Sequence, residues 1–80
     1  MADLDLIRGM FRELLERNGD FAPFADDDRL FSTGRLQSID GVEMVVFLEE
    51  KFGLAFVPGG FEPESIDGVK NVAALVDRRR

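Results

Sequence analysis

The sequence predicts an all-α domain: three main helices plus a short helical turn, packed as a small bundle, with a long loop between the first two helices. Three observations lead there. Apolar residues recur at i, i+3, i+4 and i+7 in two stretches, and a third stretch is apolar on two sides. Turn and stop residues bracket each stretch. No segment alternates apolar and polar residues long enough for a strand; residues 54–57 are apolar but run straight into Pro58.

The first helix is expected over residues 3–17. Leu4, Ile7, Phe11, Leu14 and Leu15 follow the helical period, with Met10 and Leu6 beside them. Asp3 and Asp5 stand in its first turn and Arg17 in its last, each sign favourable to the helix dipole. Asn18-Gly19 then ends it, because both tolerate the left-handed backbone of a helix C-terminus. Residues 20–37 hold Pro23, Asp26-Asp27-Asp28 and Gly34 and keep no helical period. A connection this long in a small domain is commonly functional. Phe21, Phe24, Leu30, Phe31 and Leu36 interrupt its polarity and are expected to pin it across the helices.

The second helix runs from Ser38 to Phe52 and stops at Gly53. Residues 54–66 contain Pro58, Gly59, Gly60 and Pro63, so they read as a loop with one short turn over 62–66. The third helix is expected to start near Asp67, with Asp67 as its N-cap. Val69, Val72, Ala73 and Val76 form its stripe, and Arg78-Arg79-Arg80 place cations at its C-terminal end.

Composition narrows the function. The 80 residues make one small domain, 45% hydrophobic with eight Phe, so the chain carries the apolar content that disordered chains lack. It has no Cys and no His, which removes disulfides, thiolate chemistry, the commonest general base and the commonest metal ligand. Catalysis by this chain alone is not expected. The net charge of −6 disfavours nucleic acid and suits partners with basic patches. No apolar run is long enough to span a membrane, and the opening MADLDLIRGM lacks the positive charge of a signal peptide. A soluble cytoplasmic monomer is the expectation.

The central helix has two apolar faces. At ~100° per residue, Met44, Val45, Leu48 and Phe52 share one side with Gly41 among them. Ile39, Val42 and Val46 fall nearly opposite, with Glu43, Glu49 and Glu50 around them. The first stripe is core. The second is either a further buried face of a central helix or an acid-rimmed docking patch. Its start, one residue after Ser38, favours docking.

Leu30-Phe31, Gly34, Leu36, Gln37 and Ser38-Ile39 occur in an order that resembles the carrier-protein motif: a Leu-Phe pair, Gly, an aliphatic residue, Asp, then Ser-Leu. Val42-Glu43-Met44-Val45 and Leu48-Glu49-Glu50-Lys51-Phe52-Gly53 are similar to that family's central helix. The Val69 to Val76 stripe sits where its last helix would, so the resemblance to the acyl and peptidyl carrier proteins covers roughly residues 30–76. It implies a four-helix carrier bundle with 4′-phosphopantetheine on Ser38, transferred from coenzyme A by a phosphopantetheinyl transferase. The arm's thiol would hold cargo as a thioester. The implied partners are that transferase and acyltransferase, ligase or synthase enzymes with basic patches. Gln37, Ile39, Val42, Glu43, Val46, Glu49 and Glu50 are the candidate docking residues. Physical chemistry agrees with the placement: the first turn of a helix offers free N–H groups and the positive dipole end to a phosphodiester. A lone Ser before a helix is more often an N-cap, but within this motif Ser38 reads as the attachment site.

Two features qualify the resemblance. Gln37 stands where the family has Asp, which bears on which transferase reads the site. Ser38-Ile39-Asp40-Gly41-Val42 also recurs as Ser65-Ile66-Asp67-Gly68-Val69, twenty-seven residues later. Both copies are expected to cap and open a helix, and only Ser38 carries the surrounding motif, so Ser65 reads as structural. Phe61-Glu62-Pro63-Glu64-Ser65-Ile66 is similar to stand-alone carriers for D-alanine or for unusual polyketide extender units. Three functions follow: an acyl carrier, an aminoacyl or peptidyl carrier loaded by an adenylating ligase, or an unmodified helical interaction module. A calcium loop starting at Asp26 fails, because its fifth and twelfth positions would be Leu30 and Gln37.

Overall fold

The computed structural model describes residues 3–55 and 63–79. They form three α-helices, α1 (Leu4–Arg17), α2 (Ser38–Phe52) and α3 (Val69–Arg79), with a 3₁₀ turn at Pro63–Ile66 ahead of α3. There is no strand among the described residues. Phe56 and Val57, Pro58 to Gly60, and Phe61-Glu62 lie outside them, as does Arg80.

Helix α1 starts where Asp3 accepts the N–H of Leu6 at 3.1 Å, which satisfies one of the amides a helix start leaves open. Its inner face is Ile7, Met10, Phe11, Leu14 and Leu15, all buried. Leu4 lies on the outer edge of the stripe and is exposed. Termination follows the expected chemistry: Asn18 is the C-cap, and Gly19 takes φ +78°, which lets its N–H reach Glu16 O and that of Asp20 reach Leu15 O.

The long loop is stitched down from several sides. Leu30 and Leu36 are buried in the core, Phe31 packs against it, and the Phe24 ring lies 6.5 Å from that of Phe11. Phe21 departs from expectation: it is 69% exposed and pins nothing. Polar clips do the rest. Arg35 holds Asp20 with two nitrogens, at 2.9 and 3.1 Å, and also donates to the carbonyl of Ala22. Arg8 of α1 takes both oxygens of Asp26, and Asp28 accepts the N–H of Ala25.

Helix α3 begins two residues later than the sequence predicts, and Asp67 is not its cap. The Asp67 carboxylate instead accepts the N–H groups of Phe31 and Ser32 and the Ser32 hydroxyl, all from the long loop. The backbone completes the seam: Leu30 N–H donates to Asp67 O at 2.7 Å, and Lys70 N–H donates to Asp26 O at 3.0 Å. The Asp26 carbonyl thus accepts a first-turn amide of α3, as a local cap would. The duplicated pentapeptide therefore does not have one local job; its first copy opens α2, while its second straddles the 3₁₀ turn and the start of α3.

The core gathers α1, α2, α3 and the loop. Phe11, Leu14, Leu30, Met44, Leu48 and Val72 are fully buried. Each such side chain contributes about 1.5–3 kcal/mol relative to exposure. Helix α1 packs on both α2 and α3, and the 3₁₀ turn lies between α2 and α3. This leaves one long face of α2 uncovered.

Candidate functional site

The uncovered face begins where the loop enters α2. Leu36 is buried and its N–H bonds Leu30 O at 2.8 Å, which fixes the chain just ahead of the helix. Gln37 then adopts an extended backbone as the N-cap. Its N–H donates to the Asp40 carboxylate at 2.8 Å, and Asp40 also accepts the side-chain amide of Asn18 at 2.9 Å. Asp40 is only 6% exposed, so a single buried carboxylate ties the end of α1 to the first turn of α2.

Ser38 is the first residue of α2 and is exposed. It is not the N-cap; Gln37 and Asp40 take that work, and the Ser38 hydroxyl bonds no described residue. A helix start leaves four amides open. Those of Gln37 and Asp40 are satisfied, by the Asp40 carboxylate and the Gln37 carbonyl. The amides of Ser38 and Ile39 have no partner among the described residues and stand beside the Ser38 hydroxyl.

The same face continues down the helix. Ile39, Val42 and Val46 are 67%, 61% and 40% exposed, so the second apolar stripe is open surface and not core. Opposite it, Met44 and Leu48 are buried and Phe47 and Phe52 pack against the core, while Val45 is half-buried. Glu49 and Glu50 are exposed near the far end. Glu43 is turned toward α1, where Arg17 approaches to 3.5 Å and also overlies the Phe47 ring. The structure thus brings Ser38, Ile39, Val42 and Val46 to one open face, with Gln37 exposed at the head of the helix, Glu50 beyond and Glu43 on the flank beside α1.

Ser65 has another setting. It is half-buried inside the 3₁₀ turn, and Ile66 after it is buried with its Cδ1 3.5 Å from where a methyl at Gly41 would lie. The acidic loop run is engaged in structure: Asp26 with Arg8 and Asp28 with its own turn. Among the described residues, no group of His, Cys, Asp and Glu could hold a metal ion. No described helix is long and apolar enough to cross a membrane.

The supports of Ser38, namely Asn18 and Asp40, were missed as site residues. Asp40 was findable, because an acid three residues after an N-cap is the capping-box spacing. Asn18 was not, since only tertiary packing brings it across. Comparison with protein-family models, curated proteins and solved structures found no match.

Proposed function

We propose that this chain is a carrier domain of the acyl/peptidyl carrier type, whose Ser38 bears 4′-phosphopantetheine and whose open α2 face docks the enzymes that load and unload it. Three helices with a short 3₁₀ turn before the last are compatible with the four-helix bundle that this reading expects. The observation that carries this reading is the position of Ser38: an exposed serine on the first residue of a helix, with two amides next to it that have no partner among the described residues and an apolar ridge leading away. The group fits that setting. A phosphodiester there would meet the Ser38 and Ile39 amides and the positive end of the α2 dipole, and nothing described blocks the approach.

When bound, the arm supplies a thiol that holds cargo as a thioester; the chain's own residues supply placement. The Ser38 oxygen receives the phosphopantetheinyl group from coenzyme A while its proton passes to a base on the transferase and the adenosine bisphosphate half leaves. Asp40 keeps the first turn in register. Ile39, Val42 and Val46 offer apolar area to a partner, and the acids around them meet its basic groups, which speeds encounter and sets orientation. The chain does no bond-making itself.

Intact mass after incubation with coenzyme A and a broad-specificity transferase tests the reading. One phosphopantetheine is expected on the wild type and on Ser65→Ala, and none on Ser38→Ala. A wild type that stays bare with every competent transferase would leave only an unmodified interaction module. Charging of the holo form by an acyltransferase or by an adenylating ligase then separates acyl from aminoacyl cargo.

A further inference from the structure

We infer that Asn18 is a positioning residue for Ser38: its side-chain amide, holding the Asp40 carboxylate, locks the end of α1 to the first turn of α2 and so fixes how the Ser38 hydroxyl is presented. What the presentation serves rests on the carrier reading; the lock itself does not.

The geometry is a three-way junction on one oxygen. Asp40 Oδ2 accepts from Asn18 Nδ2 at 2.9 Å and from the Gln37 N–H at 2.8 Å. Asn18 Nδ2 also donates to Leu14 O at 3.1 Å, and Leu14 is fully buried, so the anchor reaches into the core through α1. Gln37 directly precedes Ser38. The carboxylate that grips α1 therefore grips the backbone of the serine's own neighbour. Because the Ser38 side chain bonds no described residue, its direction is inherited from that backbone. Asp40 is nearly water-excluded, which strengthens both hydrogen bonds and makes losing one costly. A hydroxyl that must line up with a phosphoryl group is sensitive to this, since a misplacement of about 1 Å can cost about a hundredfold in rate.

The test compares Asn18→Asp with Val76→Ala. The first is nearly isosteric, but it removes the donor and sets a second carboxylate against Asp40. The second loosens the core on α3 and touches no part of the junction. Two quantities are read on the full chain, below both melting points: kcat and KM for phosphopantetheine transfer by the transferase, and amide exchange of Gln37 by NMR. For Asn18→Asp, kcat is expected to fall at least about fivefold with KM within about twofold, the mark of lost positioning rather than lost binding. Its Gln37 amide should exchange at least about fivefold faster, because the opening is local. Val76→Ala should change neither. Wild-type values in Asn18→Asp, or an equal loss in Val76→Ala, would overturn the assignment. If the wild type accepts no arm, the carrier reading fails and exchange alone decides the lock. Faster Gln37 exchange confined to Asn18→Asp then upholds it, and unchanged exchange sinks it.

Discussion

Asp40 and Asp67 occupy the same place in two copies of one pentapeptide, and both are buried. Each carboxylate accepts backbone amides, so one residue type performs one kind of work twice. The distance it works over differs: Asp40 reaches Gln37, three residues back, while Asp67 reaches Phe31 and Ser32 across the fold. The residues around them diverge further. Ile39 and Val42 are exposed, whereas Ile66 and Val69 are buried. The paired glycines turn this contrast into a prediction. A methyl on Gly68 would collide with the Asp28 carbonyl oxygen, so backbone must move. Gly68→Ala is expected to lose about 1–3 kcal/mol, the usual cost of overpacking. A methyl on Gly41 would meet Ile66 and Phe31 at 3.5 and 3.7 Å, ordinary contact distances. Gly41→Ala should therefore be neutral or gain up to about 1 kcal/mol from helix propensity. Urea denaturation of both variants checks the opposite signs.

At the scale of elements, α2 and the long loop do different jobs. Helix α2 is held on one side only, so a charge on the other side costs little. Val46→Asp is expected to change stability by no more than about 0.5 kcal/mol while weakening turnover by any enzyme that docks there. A large drop in melting temperature would return the stripe to the core. The loop is held by its polar clips, and those clips titrate. Burial pushes the Asp67 carboxyl up, but hydrogen bonds from the Ser32 hydroxyl and from the Ser32 and Phe31 amides, with the Arg29 charge, outweigh it and hold the group below its ordinary range. Asp26 and Asp20 are likewise held down by hydrogen bonds from Arg8 and Arg35. A carboxyl depressed in the folded state adds stability above its unfolded pKa and loses it as pH falls through the folded one. The urea midpoint is thus expected to be flat above about pH 5 and to decline through about pH 4 and below. Asp67→Asn should begin lower at neutral pH and decline less steeply.

At the scale of the whole molecule, the loop is part of the core rather than a tether between helices. A domain of 80 residues has roughly 4–12 kcal/mol of stability in total. Leu30, in the loop, is as completely buried as Leu14 in α1. Leu30→Ala is therefore expected to cost about 2–5 kcal/mol, as a helical Leu→Ala change does, and to remove much of the cooperative unfolding transition. Circular dichroism with urea would measure it against Leu14→Ala, and a loss below about 1 kcal/mol would mean that the loop is dispensable to the core. The same arrangement explains the open face. With α1, α3, the 3₁₀ turn and the loop packed elsewhere, no described element covers Ile39, Val42 and Val46.

The all-helical class, the three helices, their stops at Asn18-Gly19 and Gly53, and Ser38 at the head of α2 are all legible in the sequence. Those features follow from apolar period, turn chemistry and left-handed glycines, which act over a few residues. Packing between distant parts of the chain set the rest: the second stripe of α2 faces outward, Phe21 stays outside, Asp67 serves the loop instead of α3, and Asn18 supports the first turn of α2. Each of these depends on which surfaces meet across the chain. An apolar side chain reads the same in sequence whether a neighbour covers it or not, and a carboxylate can be satisfied by any amide that packing delivers.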